Sequence, residues 1–386
     1  MNVLKVAICG GGRTGHLNAI LFKQLPNVQV SMLTGNLEII ERHARQTPMR
    51  ALLPDGSTLE ARLDRVTTDA RTAVEDADIV IITVPAHARP QTLQAIAPHL
   101  SASKPVYIGA IPGFCGFDWL AEAALPDRPN LVIWGMKDVP HTAFELAPGR
   151  SIKMGGGKSK LYVATHARES QASRRQLQEM LTRLYGPCVT MLENYLEITL
   201  TPGNPIMHSS VIYGLIGPYG QWHRKIFPQP MCWWTECPEL GAYFLERMDQ
   251  ESQELCTVIS QRLGIDLSSV KSLKQEIVDA YGEQIRDQSS MLAILRTNQA
   301  YNDILAPMVP AADNRAGYVI ERESRAFNED VAYGLVLLVE MARRFDLKVP
   351  YIEEVLHWSV GYMQGLRDSA LDYFPSHWPR PATAAA

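Results

Sequence analysis

The chain has 386 residues, of which 46% are hydrophobic and 20% charged, and its formal net charge is −4. That length exceeds one ordinary core and predicts two globular domains, and the lack of any long Lys/Arg run argues against nucleic acid or an anionic membrane as a partner. No stretch approaches the roughly 18 consecutive apolar residues of a membrane span and the first residues suit a core strand, so no membrane association and a cytoplasmic location are expected.

Residues 3–9 form a short apolar run that feeds into Gly10, Gly12 and Gly15, and a helical pattern follows over His16–Leu25. In this strand-turn-helix setting the glycines have separate tasks. Gly10 suits the tight turn, Gly12 lets a pyrophosphate approach the backbone, and Gly15 lets helix and strand pack closely. A bound dinucleotide is therefore expected, with Arg13 and Thr14 in the same loop among its candidate contacts. Alternation continues through a strand at Asn27–Leu33, a helix at Ile39–Gln46, strands at Asp78–Val84 and Pro105–Ile111 with a helix at Pro90–Leu100 between them, and a strand at Asn130–Gly135. Repetition of this kind predicts parallel βαβ units whose ligands sit at the carboxyl ends of the strands. Val84 and Pro85 after one strand and Pro112 after the next are cofactor candidates on that ground, although ordinary turn chemistry accounts for each equally well.

Ser151–Ala167 is expected to be extended around a turn at Gly155-Gly156-Gly157, and Gln171–Tyr185 to be helical. Beyond about Leu192 the pattern becomes helical, with candidates at Pro205–Ile216, Gly241–Leu263, Leu273–Gly282, Ser290–Asn298, Glu329–Phe345 and Pro350–Leu366. The expected fold class is an α/β Rossmann domain with a doubly wound, mostly parallel sheet over 1–190, then an all-α domain over 191–375, with a flexible tail over 376–386. The six cysteines are scattered rather than spaced as a framework, and Cys232 and Cys237 lack a second ligand pair, so neither disulfides nor a metal site is expected.

Two segments of the second domain hold candidate chemistry. In Gly203-Asn-Pro-Ile-Met-His208, Asn204 suits an N-cap and Pro205 the first helical position, which puts His208 in the first turn. A capped helix with a hydrogen-bonded histidine is the alternative to an acid/base group. In Arg325-Ala-Phe-Asn-Glu-Asp330, Asn328 suits another N-cap, which puts Glu329 and Asp330 in a first turn where the helix dipole favours negative charge. Arg325 is a candidate clamp for a carboxylate, and an ion pair with Glu321, Glu323 or Glu329 is its alternative. Trp233-Trp234, flanked by prolines, is either an aromatic patch for a ligand or partner or a packing element.

Taken together, the glycine-rich start, the Asn-Pro-Ile-Met-His segment, Arg325–Val336 and Lys348-Val-Pro350 resemble the octopine/nopaline (opine) dehydrogenase family over residues 3–366. The resemblance implies NAD(P)H-dependent, reversible condensation of an amino acid with a 2-keto acid to an N-(carboxyalkyl)amino acid. It also implies that His208 is the catalytic acid/base, that Asp330 orients it, that Arg325 binds the keto-acid carboxylate, and that Asn204 either lines the nicotinamide or caps its helix. Two departures stand out. Ser209 and Ser210 follow the histidine where the family usually has proline, which would admit hydroxyl contacts to substrate. The segment Val139–Phe144 lacks the Trp and Arg of many relatives. Rival readings are a ketopantoate-reductase-like or glycerol-3-phosphate-dehydrogenase-like enzyme, with Lys271 or Lys274 as its lysine, and a non-enzymatic dinucleotide-binding redox sensor.

Cofactor choice turns on the end of the second strand. An NAD-specific site generally has Asp or Glu there. This chain has Thr34-Gly35-Asn36, so NADP(H) is favoured, with Thr34 and Asn36 as donors to a 2′-phosphate and Arg13 or Arg42 as charge. NAD(H) is the alternative, served by Glu38. The identity of the amino and keto acids and a homodimeric state are left open.

Overall fold

A computed structural model describes residues 2–201, 203–217, 225–312 and 316–379. The chain divides into two compact units between Thr199 and Leu200. Unit 1 runs β1 Leu4–Cys9, α1 Arg13–Phe22, β2 Val28–Leu33, α2 Leu37–Ala44, β3 Met49–Leu52, β4 Thr58–Ala61, β5 Arg65–Thr67, α3 Ala70–Val74, β6 Ile79–Ile82, α4 Arg89–Ile96, β7 Val106–Ala110, α5 Phe117–Ala124, β8 Leu131–Met136, β9 His141–Ala147, β10 Ser151–Gly157, β11 Leu161–Thr165, α6 Gln171–Tyr185, β12 Val189–Met191 and α7 Leu196–Thr199.

Eight strands form one sheet in the order β12-β11-β8-β7-β6-β1-β2-β5, parallel except where β11 runs against β8. The order reverses on either side of β1, which is the doubly wound arrangement. Ile79-Val-Ile-Ile82 is buried throughout, as a central strand covered on both faces must be, whereas β2 on the flank alternates with Gln29 exposed. Helix α6 shows the local logic clearly. Ser170 caps its start by accepting from the Ser173 amide, Leu177, Leu181 and Leu184 form its buried stripe, and Gly186 ends it at φ +84°.

Three features of unit 1 differ from the sequence expectation. A second sheet, β4-β3-β10-β9, joins β10, which lies in the segment expected to be extended, to β3, β4 and β9, which the sequence expectation lacks. Gly155-Gly156-Gly157 lies within β10 instead of forming a turn, because the strand must pass under Phe144 of β9, where a Cβ on Gly155 would stand 2.5 Å from the ring. The first unit also extends nine residues past the expected boundary at 190. Tyr195 donates its hydroxyl to the Gly113 carbonyl at 3.0 Å, which ties α7 to the end of the Rossmann sheet.

Unit 2 contains α8 Gly203–Ile216, α9 Glu239–Leu263, α10 Leu273–Tyr281, α11 Met291–Thr297, a hairpin of β13 Met308–Pro310 and β14 Tyr318–Ile320, a π-helix at Ala326–Leu335, α12 Val336–Arg344 and α13 Pro350–Met363. The hairpin is an addition to the expected all-helical plan. Helix α8 is apolar on nearly every side and serves as the unit's central helix. Of the expected tail, residues 376–379 are anchored, since Arg344 Nη1 donates to the Ser376 and Trp378 carbonyls and Trp378 packs on Phe345; residues 380–386 lie outside the described residues. Among the described residues no helix is long and apolar enough to cross a membrane.

Candidate active site

In unit 1 the glycine-rich turn has the form a dinucleotide requires. Gly10 sits at φ +130°, and a Cβ on Gly15 would stand 2.0 Å from the Gly10 carbonyl oxygen, so turn and helix touch backbone to backbone. A Cβ on Gly12 would meet nothing within 4 Å, and Gly12, like Arg13, is exposed. The tight positions are thus used for packing, while the exposed one leaves backbone amides at the start of α1 accessible to an anion. These residues fit a pyrophosphate.

Behind the turn, Thr83 Oγ1 lies 3.3 Å from the Cys9 and Gly10 carbonyls, and Val84 and Pro85 follow, half-buried. Half-buried Pro112 is held from below by Arg89. That side chain is 2% exposed, donates Nη1 to Phe114 O and Nη2 to Pro112 O, each at 2.8 Å, and lies over the Phe114 and Phe117 rings. A buried guanidinium spent on two carbonyls fixes the loop after β7. Nothing in the sequence around Arg89 distinguishes it from a surface arginine, and only the burial reveals it.

His16 was equally silent in the sequence. Fully buried, it accepts from the Gly149 amide at Nε2 (2.8 Å) and faces Gly12 O through Nδ1 (3.2 Å), which requires a neutral ring protonated at Nδ1; burial holds its pKa below the ordinary histidine value.

At the end of β2, Thr34 is buried and its Oγ1 accepts from the Asn36 amide, while Asn36 caps α2 by accepting from Glu38 N and Ile39 N. Asn36 therefore has a structural task beyond the ligand role expected for it. Arg42 is committed through Nε to Gly149 O at 2.9 Å, and Glu38 pairs with Arg150 at 3.1 Å.

In unit 2, α8 and the π-helix lie side by side, with Gly334 so close to Pro205 that a Cβ would stand 2.4 Å from the proline ring. This contact brings His208 and Asp330 together although 122 positions separate them: His208 Nδ1 lies 2.7 Å from Asp330 Oδ2. The histidine side chain is 23% exposed and the aspartate 2%. Burial raises the Asp330 carboxyl above the usual carboxylate range, and the pairing with His208 pulls against that rise. Its second oxygen, Oδ1, is buried without a hydrogen-bond partner among the described residues.

The expected capping roles are not found. Helix α8 begins at Gly203, so Asn204 lies inside it, exposed, and His208 falls in the second turn rather than the first. Asn328 lies inside the π-helix, where its Nδ2 donates to Glu323 O at 3.0 Å. Glu329 does fall in the first turn of that π-helix, with Asp330 just after it, and both are buried groups facing specific partners.

Arg325, 63% exposed, contacts Glu329 Oε2 through Nε (2.7 Å) and Nη2 (2.5 Å), and Glu329 is 2% exposed. The alternative of an ion pair with Glu329 is what the geometry contains, with the buried carboxylate anchoring an otherwise solvent-facing guanidinium. Ser209 and Ser210 are turned into their own helix, bonding Pro205 O and Met207 O, so they do not offer hydroxyls to a substrate. Lys271 pairs with Asp279 on the surface and Lys274 is exposed, so neither occupies a setting that would make it a catalytic lysine.

Comparison with known proteins agrees with this architecture. Residues 191–363 match the profile described as NAD/NADP octopine/nopaline dehydrogenase, alpha-helical domain, and residues 5–122 match the N-terminus of NAD-dependent glycerol-3-phosphate dehydrogenase. An uncharacterized protein of Sinorhizobium fredii is 51% identical, the match covering 98% of this chain and all of that one. The opine dehydrogenase of Haliotis discus hannai is 26% identical over 92% of this chain and 89% of its own. Among solved structures, octopine dehydrogenase with NADH and L-arginine superposes with a TM-score of 0.80 at 23% identity, covering 94% of this chain and 90% of that one. With a Rossmann unit, a helical unit matching the family's own domain and a homologous relative across nearly its whole length, the chain belongs to the octopine/nopaline dehydrogenase family of NAD(P)-dependent oxidoreductases.

Proposed function

We propose that this protein catalyses the reversible, NAD(P)H-dependent reductive condensation of an amino acid with a 2-keto acid to an N-(carboxyalkyl)amino acid. The observation that carries this reading is the His208–Asp330 pair, in which a buried carboxylate holds one nitrogen of a partly exposed imidazole. Names of relatives, among them the tauropine dehydrogenase of Arabella iricolor and the octopine dehydrogenase of Pecten maximus, support the reaction class.

Each residue has a defined task. Arg325 receives the keto-acid carboxylate on the guanidinium edge that Glu329, bound at Nε and Nη2, leaves open. The amine adds to the keto carbon, and His208, with Asp330 keeping the proton on Nδ1, gives a proton from Nε2 to the departing hydroxyl as the carbinolamine loses water. Asp330 offsets the charge the ring carries while it is protonated. The bound reduced nicotinamide supplies the hydride. Gly10, Gly12, Arg13, Thr14 and Gly15 would hold the dinucleotide's phosphates, with Val84, Pro85 and Pro112 along its further course and exposed Asn204 free to meet the nicotinamide end.

NADPH is the preferred cofactor on this reading. No carboxylate stands at the end of β2, Glu38 is engaged by Arg150, and Arg13 is exposed beside Gly12. Oxidation of NADPH or NADH by a matrix of keto acids and amino acids, with mass spectrometry of the product, tests both points. A secondary-amine product is expected, with kcat/KM at least about tenfold higher for NADPH, or roughly 1.4 kcal/mol. Cofactor oxidation that needs only the keto acid refutes the condensation, and a preference for NADH refutes the cofactor assignment.

A further inference from the structure

The segment Cys232–Cys237 places two consecutive indoles against the imidazole of His208. The ring centroids of His208 and Trp233 are 4.4 Å apart at 37°, those of His208 and Trp234 5.5 Å apart at 21°, and the two indoles stack on each other at 5.2 Å and 23°. Trp233 is 7% exposed and Trp234 5%, so little of either indole is left as surface for a ligand.

The wall is firmly supported. Trp233 N donates to Ile304 O at 2.9 Å, Cys237 N donates to Trp234 O at 3.0 Å, and Arg296 places Nε and Nη2 on Cys237 O at 3.1 and 2.8 Å. Tyr301 backs Trp234 at 5.7 Å.

Asp330 restrains His208 at one atom only. A single hydrogen bond to Nδ1 selects the tautomer but leaves the ring able to swing about that contact, which would sweep Nε2 through an arc. Flat groups packed against the ring remove that freedom, and their π faces favour its positive charge while it is protonated. The geometry points to Trp233 and Trp234 as positioning residues that fix the plane of the His208 ring and so aim Nε2. This rests on the assignment of His208 as the proton donor.

The test uses the full-length protein with Trp233→Leu, Trp234→Leu and the conservative Trp233→Phe. Each leucine variant should lose about 10- to 100-fold in kcat, since small misplacements of a reacting group carry costs of that order. KM for the keto acid and for the cofactor should stay within about threefold, and Trp233→Phe should recover kcat to within about threefold of native. A second readout needs no turnover. In histidine-labelled protein the His208 ring protons, assigned by their loss in His208→Asn, should be displaced upfield by the indole ring currents and return toward ordinary positions in the leucine variants. Leucine variants that keep native kcat, or that lose kcat and cofactor affinity in parallel as a merely structural defect would, overturn the proposal, as do unshifted His208 resonances. Ring-current shifts without any condensation by the native protein would overturn the reaction while leaving the ring-fixing wall in place.

Discussion

Replacing Asp330 with Asn separates the carboxylate's charge from its shape. Two unit charges 2.7 Å apart attract by roughly 6 kcal/mol at an effective dielectric of about 20. The amide keeps the volume and one hydrogen bond to Nδ1 but loses most of that attraction at the moment the imidazole is charged. It can also donate to Nδ1 and so favour the wrong tautomer. The expected loss in kcat/KM is about 10²- to 10⁴-fold, equivalent to roughly 3 to 5 kcal/mol, while cofactor affinity stays within about threefold. Stability should not follow activity. Asp330 is buried, its carboxyl is raised by that burial, and Oδ1 has no hydrogen-bond partner among the described residues, so a neutral group of equal size leaves the unfolding free energy within about 1 kcal/mol of native or raises it. Steady-state rates with the best substrate pair, cofactor titration and urea unfolding give the three numbers. A variant that keeps more than about a tenth of native kcat/KM, or one whose activity loss is matched by a stability loss beyond about 2 kcal/mol, would refute the reasoning.

Arg325→Lys should raise the keto-acid KM by about tenfold or more and leave the cofactor KM unchanged, because a point charge cannot reproduce a guanidinium fork; unchanged keto-acid kinetics would transfer the role elsewhere. In Gly334→Ala the new Cβ falls 2.4 Å from Pro205, so the π-helix and α8 must move apart. A loss of about 1 to 3 kcal/mol in stability and of tenfold or more in kcat is expected, and a fully active, equally stable variant would show that the contact does not set the dyad. His141 is held down to about 4 by burial, and its Nδ1 has no partner among the described residues. The unfolded chain takes up that proton near pH 6.5, so between about 6.5 and 4 the unfolded state binds more protons and stability falls as pH falls, by at most roughly 3 kcal/mol. His141→Leu should flatten this acid limb in urea unfolding at about pH 7 and pH 4.5; an unaltered difference between the two would assign it to other groups.

Much of unit 1 was legible because its signals are local. A strand buried on both faces must be continuously apolar, as Ile79–Ile82 is, and a strand-to-helix turn that carries phosphate must have glycine where backbones touch, as at Gly10 and Gly15. The resemblance to a known family likewise singled out His208, Asp330 and Arg325, because they stand in short contiguous motifs. What stayed hidden depends on partners remote in sequence. Asn204 and Asn328 looked like caps, but a helix start is decided by how the segment packs, and both helices begin earlier than their capping residues suggested. Ser209 and Ser210 carry no mark that they turn into their own helix, and Arg89 carries none that it is buried. Likewise, nothing in Cys232-Trp-Trp-Thr-Glu-Cys237 says that its indoles lie on the imidazole of His208, since the segment is held there by partners remote in sequence, Ile304 at Trp233 and Arg296 at Cys237. Chain order determines which groups are available and the period of each element. The distance between Nδ1 of His208 and Oδ2 of Asp330 is decided by tertiary packing, where a glycine without a side chain lets two helices come close enough for a hydrogen bond.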